Sequence, residues 1–143
     1  MILEVPVDRI FPLRHDVLRH GFPLEASIYP GDDDPATFHL AALDGETVIG
    51  CATGLVVPRP GTTEPAYQLR GMAVAEGLRS QGIGARILAV FERTARERGL
   101  TLVWCNGRKT AGDFYRREGW VQTSDEFESV GLPHFIFEKR LEG

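Results

Sequence analysis

Two apolar, β-prone runs, residues 38–43 and 47–57, stand in the first half of the chain and are separated by Asp44-Gly45. Asp-Gly between such runs is a strong signal for a tight hairpin, so the pattern predicts an antiparallel pair of strands. A third apolar run, Tyr67–Val74, predicts a central strand of the same sheet.

The spacing of apolar residues then changes from that of a strand to that of a helix. The residues that share one helical face are Ile83, Ile87, Leu88, Phe91 and Ala95. Gly99 follows at the position where glycine commonly ends a helix. Residues 100–105 predict a buried strand, and the helix that separates it from the central strand predicts that the two run parallel.

The first twenty residues predict a short strand at 2–5 and a helix at 9–20. Asp8 is the expected N-cap of this helix and Gly21 its stop. Pro12 is then expected in or near the first turn. The stretches rich in proline, glycine and polar residues, where loops or short helical turns are expected, are 22–36 and 58–65.

The last part of the chain predicts one more helix and two strands. Thr110 and Asp113 have the spacing of a capping box, and Gly119 ends the short helix that would follow. Residues 120–123 and 134–140 predict the final strands. The fold class expected from this order of elements is α/β, an α+β sandwich built on a mixed sheet.

Composition narrows the classes of function. The chain has 143 residues of which 43% are hydrophobic, enough for one core, so residues 1–143 are expected to form a single domain. A formal net charge of -4 gives no basic field for nucleic acid. The chain lacks a basic leader and an apolar run near the roughly 20 residues of a membrane span, so we expect a soluble, cytoplasmic protein without a membrane partner.

The two cysteines, Cys51 and Cys105, lie in separate apolar runs rather than in a close pair. Buried, reduced thiols are therefore expected. Cys105 lies beside a candidate site residue, so a reactive role is the alternative.

The segment Arg79-Ser80-Gln81-Gly82-Ile83-Gly84 stands between the central strand and the first residues of the predicted helix. A helix N-terminus offers unpaired N–H groups and a positive dipole end, and glycines let the backbone approach a phosphate closely. A P-loop would need Gly-Lys followed by Ser or Thr, and a Rossmann loop would need a third glycine and an acidic ribose ligand; neither is present. The segment predicts a diphosphate-binding loop, with an ordinary helix start as the alternative.

This loop, after the strand residues 69–74, resembles the R/Q-x-x-G-x-G/A signature of the GNAT superfamily of acyl-CoA-dependent N-acyltransferases. The sequence Trp-Cys-Asn at 104–106 continues the similarity. Residues 111–120 look like the Y-x-x-x-G-F/W segment of the family, and the order of strands agrees as well. The resemblance spans essentially the whole chain, and four features in order are more specific than the glycine motif alone.

The resemblance implies a GNAT-like mixed, mostly antiparallel sheet with a central parallel strand pair and helices on both faces. It also implies that the central strand splays from its parallel neighbour and that the pantetheine arm of acetyl-CoA fills the gap. A backbone N–H near Val74 would then polarise the thioester carbonyl. The residues that the resemblance assigns to acetyl-CoA are Met72, Ala73, Val74, Arg79, Ser80, Gln81, Gly82, Ile83, Gly84, Asn106 and Phe114. A plain strand end is the alternative at Val74, a turn-forming role the alternative for Asn106, and core packing the alternative for Phe114.

Tyr115 occupies the position at which the family often places a general acid, which would protonate the departing CoA thiolate. A core aromatic is the alternative. With no serine or cysteine beside an evident activating base, direct transfer to a bound amine is favoured over a covalent enzyme intermediate. No metal is part of this expectation. The rival interpretation is a non-catalytic acyl-CoA-binding or interaction module.

The acceptor side is less defined by the sequence. Arg70, in the middle of a strand covered on both faces, must pair either with a structural carboxylate or with an anionic group of the substrate. His134 enters the last strand near the expected acceptor pocket, with a merely hydrogen-bonded strand histidine as the alternative. The acidic run 32–34 is most simply a solvated loop, although it can also attract a cationic amine. The loop glutamates considered as general base, beside a water chain, are Glu25, Glu64, Glu126 and Glu128. A small-molecule amine is the expected acceptor, and edge strands leave a homodimer open.

Overall fold

The computed structural model describes residues 1–142 and contains eight strands and three α-helices in that part of the chain. The strands are β1 Ile2–Glu4, β2 Phe38–Asp44, β3 Thr47–Val56, β4 Tyr67–Val74, β5 Leu102–Arg108, β6 Val121–Gln122, β7 Phe127–Ser129 and β8 Leu132–Arg140. The helices are α1 Val7–Leu18, α2 Ile83–Glu97 and α3 Gly112–Arg117, with 3₁₀ turns at Leu24–Ser27 and Lys109–Ala111. The hairpin predicted at Asp44-Gly45 is formed by β2 and β3.

The strands form one mixed sheet in the order β1-β2-β3-β4-β5-β8-β6, with β7 paired to β8. β4 and β5 are parallel, as predicted from the helix between them, and the other described strand pairs are antiparallel. The predicted fold class, with a parallel pair inside a mostly antiparallel sheet, is confirmed.

Helices α1 and α2 lie on opposite faces of the sheet. Adjacent residues of a strand point to opposite faces, and Ala41 of β2 packs with Ile10 of α1, whereas Ala42 packs with Ile87 of α2. We call these the α1 face and the α2 face. Helix α3 belongs to the α2 face, because its Tyr115 lies in the same core as Ile87.

Helix α1 departs from its predicted bounds of 9–20. Its N-cap is Pro6, which makes no side-chain cap, so the assignment of Asp8 as N-cap is wrong. Asp8 lies in the first turn, where a carboxylate favours the helix dipole. Because the helix begins at Val7, Pro12 is its sixth residue and lies in the second turn instead of in or near the first.

The predicted capping box at Thr110 and Asp113 is also wrong. β5 passes directly into a 3₁₀ turn, so α3 begins only at Gly112 and its N-cap is Ala111, which has no side-chain bond. The tertiary pairing of β5 with β8 lengthens the strand beyond its predicted end and delays the helix.

The C-terminal part of the chain contains three antiparallel strands, one more than the sequence predicts. The predicted strand 120–123 is reduced to β6, while 134–140 is extended to β8. β7 is an unpredicted strand that forms a hairpin with the start of β8. The turn between them contains Val130 and Gly131 with φ of 54° and 75°.

The acidic run at 32–34 contains a buried ion pair. Asp32 accepts hydrogen bonds from both terminal nitrogens of the fully buried Arg14, at 2.8 and 3.2 Å. Arg14 also donates to the Thr53 hydroxyl at 2.6 Å and to the Ser27 carbonyl at 2.9 Å. The prediction of a solvated loop is therefore wrong for Asp32.

Within residues 1–142, no helix combines the length and the apolar composition that crossing a lipid bilayer requires.

Candidate active site

Pairing between β4 and β5 stops part-way along both strands. The parallel register joins only residues 67–69 to residues 103–105, although β4 continues to Val74 and β5 to Arg108. Beyond Leu69, the edge of β4 that faces β5 has no strand partner in residues 1–142. Its backbone N–H and C=O groups are left to bind something else.

A β-bulge bends β4 where the gap opens. The register between β3 and β4 shifts between Cys51 and Thr53, which leaves an extra β4 residue at Gly71. Gly71 has φ of 62°, and a Cβ there would lie 2.9 Å from the Tyr29 ring and 3.1 Å from Nε of Arg14. Glycine is needed both for the backbone conformation and for the close approach of α1.

The glycine loop ends at the start of α2 without a cap. Gly82 is the N-cap with φ of 80°, no side chain caps the helix, and its first turn contains no acidic residue. A Cβ built on Gly82 would find no atom within 4 Å. The start of α2 thus borders open space, and because the first N–H groups of a helix have no intrahelical partner, this place suits an anion such as a phosphate.

A cavity of about 1210 Å³ joins the strand gap to this helix start. The predicted site residues that line it are Arg70, Met72, Ala73, Val74, Arg79, Ser80, Gly82, Ile83, Gly84, Asn106, Phe114, Tyr115 and His134. Gln81 is the predicted site residue that does not line it. Asn106 is an interior residue of β5 rather than its last residue, but it directly follows the end of the parallel pairing.

Tyr115 belongs both to the core and to the cavity wall. Its ring contacts Phe114, Trp120 and Phe137 at centroid distances of 5.2, 5.7 and 5.1 Å. Burial, together with the neighbouring Cys105 thiol, raises the pKa of Tyr115 well above its ordinary value. The phenol therefore keeps its proton at neutral pH and can act as a donor but not as a base.

The chain is similar to known proteins in sequence and in fold. The sequence model described as "Acetyltransferase (GNAT) family" matches residues 7–120, which is most of the chain. The chain belongs to the GNAT acetyltransferase family. The superfamily suggested by the glycine motif is therefore confirmed.

Individual GNAT relatives agree over the whole length. YitI of Bacillus subtilis, an uncharacterized N-acetyltransferase, is 32% identical over 142 residues, which are 98% of this chain and 95% of YitI. A Lactobacillus plantarum structure named as an N-acetyltransferase superimposes with a TM-score of 0.81 at 22% identity, covering 99% of this chain and 98% of its own. An aminoglycoside 6′-N-acetyltransferase complexed with coenzyme A gives 0.78 at 15% identity, covering 100% and 98%. These two structures support the fold.

The wall of the cavity also contains a histidine, His134. His134 is buried, and Nδ1 lies 2.8 Å from the Leu132 carbonyl, which can only accept a hydrogen bond. Nδ1 therefore carries the proton, and the neutral ring has its lone pair on Nε2. Within residues 1–142, Nε2 has no hydrogen-bond partner and is not sealed from the cavity.

Arg70 is half-buried and does not hold the structural carboxylate that the sequence suggested. Among residues 1–142 it forms no ion pair, and its guanidinium lies 4.2 Å from the Tyr29 ring centroid. The buried arginine–carboxylate pair is Arg14–Asp32. The first of the two alternatives stated for Arg70 is therefore not found among residues 1–142, and the second stays a prediction.

None of the four loop glutamates considered as general base lines the cavity. Glu64 pairs with Arg140 and Glu126 with Lys109, each at 2.7 Å. The cavity residues that sequence reasoning did not single out include Arg19, Tyr29, Arg108 and Val130. Tyr29 and Val130 reach the wall from loops, where periodicity carries no signal.

Proposed function

We propose that residues 1–143 act as one domain that transfers an acetyl group from acetyl-CoA to the amine of a small molecule. The observation that carries the proposal is the continuity of one cavity from the unpaired edge of β4 to the uncapped start of α2. A pantetheine arm needs hydrogen bonds along an extended backbone, and a diphosphate needs unpaired N–H groups. The two features supply these in order along the cavity.

The residues of the chain fit the parts of coenzyme A. Gly82 and Gly84 let the loop and the start of α2 approach the diphosphate, and Arg79 adds a positive charge. Met72 to Val74 receive the pantetheine amides on the free strand edge, with Asn106 opposite them. A backbone N–H near Val74 stabilises the negative charge that develops on the acetyl oxygen. Bound acetyl-CoA supplies the activated acyl group.

Two side chains move the protons of the reaction in this proposal. Nε2 of His134 accepts a proton from the acceptor nitrogen as the C–N bond forms, since the Leu132 carbonyl holds the other ring nitrogen in its protonated state. Tyr115 donates its proton to the sulfur as the C–S bond breaks. His134 replaces the loop glutamates as the candidate base.

Direct transfer follows from the state of the thiols. Cys105 lines the cavity, but burial raises its pKa to about 12, and burial raises that of Cys51 to about 11. Both therefore stay protonated at neutral pH and are poor nucleophiles. We also propose that the enzyme works in the cytoplasm, where such cysteines remain reduced.

The experiment is thermal unfolding with and without acetyl-CoA, followed by thiol release from acetyl-CoA across amines, amino acids, polyamines and peptides. We expect a rise in Tm with acetyl-CoA and thiol release with at least one acceptor class. The His134→Ala variant should lose about 100-fold in kcat/KM and recover part of it with added imidazole. A Tm shift without any thiol release would favour the binding-module interpretation instead.

A further inference from the structure

The wall of the cavity carries positive charge with no negative charge to balance it. Within residues 1–142, the lining contains no aspartate or glutamate. The arginines that line it are Arg19, Arg70, Arg79, Arg108 and Arg117. None of them forms an ion pair in the described chain. Of the arginines outside the lining, Arg14, Arg59, Arg98, Arg116 and Arg140 form ion pairs, whereas Arg9, Arg86, Arg93 and Arg96 form none among residues 1–142.

These arginines divide between the two faces of the sheet. Arg79 and Arg117 lie in the loop before α2 and in α3, which is the side where the cofactor phosphates are proposed to bind. Arg70 is the register partner of Thr53, which contacts α1 through Arg14, so Arg70 lies on the α1 face. Its charge is separated by the sheet from the diphosphate loop and is available for a different anion.

The guanidinium of Arg70 is held in place before any ligand binds. It lies over the Tyr29 ring at 4.2 Å, and the guanidinium of Arg14 lies over the same ring at 4.0 Å. The Tyr29 backbone N–H in turn donates to Asp32 at 2.9 Å. Arg14 has Asp32 as its counter-charge, but Arg70 has none, although it is half-buried. A partly desolvated guanidinium without a partner is costly unless an anion arrives.

Three more residues of the cavity lining, Arg19, Arg108 and His134, belong to the α1 face. Arg108 pairs in register with His134, so both side chains lie on one face, and Arg19 follows α1. The proposed base therefore stands among cations. A simple polyamine would be repelled here, whereas an amine with its own negative charge would be attracted.

We propose that the acyl acceptor is an amine that carries a carboxylate, as an amino acid does, and that Arg70 binds this carboxylate. The inference rests on the proposed acetyl transfer and names its substrate class. The planar fork of a guanidinium matches a carboxylate with two parallel hydrogen bonds. Tyr29 orients that fork, and His134 on the same face receives the proton of the amine.

The test uses the purified full chain and matched pairs of acceptors. Glutamate, phenylalanine and β-alanine are each compared with their carboxamides, and 2-aminoethylphosphonate is the arm that tests another anion. We expect kcat/KM to be at least about tenfold higher for one or more carboxylates than for the matching amide. A preference for the amides, or for the phosphonate over every carboxylate, would overturn the inference.

Variants then connect the preference to Arg70. In Arg70→Gln the ratio of kcat/KM for a carboxylate acceptor to kcat/KM for its amide should fall toward one. Arg70→Lys should give an intermediate ratio, because lysine keeps the positive charge but lacks the two parallel N–H donors of a guanidinium. Arg93→Gln, which removes a charge on an exposed part of α2 away from the cavity, should keep the ratio. An unchanged ratio in a folded Arg70→Gln protein would contradict the assignment.

Acceptor binding is also measured without turnover. The Tm shift that each acceptor causes is recorded once with CoA present and once without it. Stabilisation by acetyl-CoA with no stabilisation by any carboxylated amine refutes the substrate class and leaves the proposed function standing. No stabilisation by acetyl-CoA refutes the proposed function, while carboxylate binding that depends on Arg70 would still support the anion site.

Discussion

Tyr115 occupies a position that suits both of the roles that the sequence presented as alternatives. Its ring packs in the aromatic core beside Trp120 and Phe137, while the residue also lines the cavity. Its raised pKa has burial as the main cause, so the packing itself keeps the phenol protonated. The core position of Tyr115 is therefore compatible with the proposed acid function.

The substitution Tyr115→Phe should lower kcat by about 100-fold, because it removes the proposed proton donor and leaves the ring in the core. The Tm shift with acetyl-CoA should stay near that of the wild type. Tyr67→Phe is the matched control: its hydroxyl donates to the Ala36 carbonyl at 2.7 Å away from the cavity, so it should cost about 1 kcal/mol of stability without loss of turnover. Wild-type turnover in Tyr115→Phe would assign the residue to the core alone.

Asp32 and Asp33 are adjacent carboxylates with different expected effects. Asp32→Asn breaks a pair with an arginine that is fully buried, and should destabilise the fold by about 3 kcal/mol in urea unfolding. Asp33→Asn changes an exposed residue of the same loop and should lie within about 0.5 kcal/mol of wild type. Equal effects of the two substitutions would show that the Arg14 pair contributes little.

At the level of elements, the sequence predicts secondary structure best where that structure depends on residues close together in the chain. The hairpin at Asp44-Gly45 and the apolar face of α2 depend on neighbouring residues, and both are found as predicted. β7 and the length of β5 depend on pairing with β8, which short-range patterns do not encode.

The candidate site follows the same division. The glycine loop and Tyr115 carry motifs, so they could be identified before the structure. That Arg70 has no carboxylate partner among residues 1–142 could not be identified, because Asp32 pairs instead with Arg14, which is 18 residues away in the sequence. The free Nε2 of His134 likewise depends on a tertiary contact geometry that its position in the sequence does not show.

The start of α2 can be tested with two glycines that have similar positive φ angles, 80° at Gly82 and 76° at Gly61. Gly82→Val places a branched side chain in the open space above the helix start and should abolish most of the Tm shift caused by acetyl-CoA. Gly61→Val is matched for strain, since Gly61 also has positive φ and no atom within 4 Å of its Cβ, but it lies outside the cavity. Both variants should lose stability, and only the first should lose the response. A full response in Gly82→Val would contradict the phosphate assignment of the loop.

The β7–β8 turn carries strain at the cavity wall. Val130 is β-branched and has φ of 54°, a conformation that costs such a residue about 1–2 kcal/mol. Val130→Asn creates Asn-Gly, the pair best suited to two consecutive positive φ angles, and should stabilise the protein by about 1 kcal/mol. Because Val130 lines the cavity, KM for the acceptor should rise while KM for acetyl-CoA stays constant. A stability gain with no change in acceptor KM would remove Val130 from the acceptor site.

At the scale of the whole molecule, the sheet separates the proposed cofactor side of the cavity from the proposed acceptor side. The α2 face carries the glycine loop, α3 and Tyr115. The α1 face carries Arg70, His134 and the Tyr29 ring over which the Arg70 guanidinium lies. The gap between β4 and β5 is the passage between the two faces. In the proposed function, an acyl group held in this gap would be open to the cofactor side and to the acceptor side at once, which is the geometry that direct transfer requires.

The two interior thiols link the stability of the whole fold to alkaline pH. Cys51 titrates at about 11 in the folded protein, against an ordinary value of 9.0, because burial disfavours its thiolate. Above pH 9 the unfolded chain releases this proton while the folded chain keeps it, so stability that is complete below pH 9 is lost as the pH rises toward 11. Urea unfolding of Cys51→Ala between these two pH values should therefore show a slope that is shallower than wild type by about 1 kcal/mol per pH unit. Cys105→Ala should extend the same effect toward pH 12, and parallel pH curves for wild type and both variants would mean that the thiols are not shielded in the folded state.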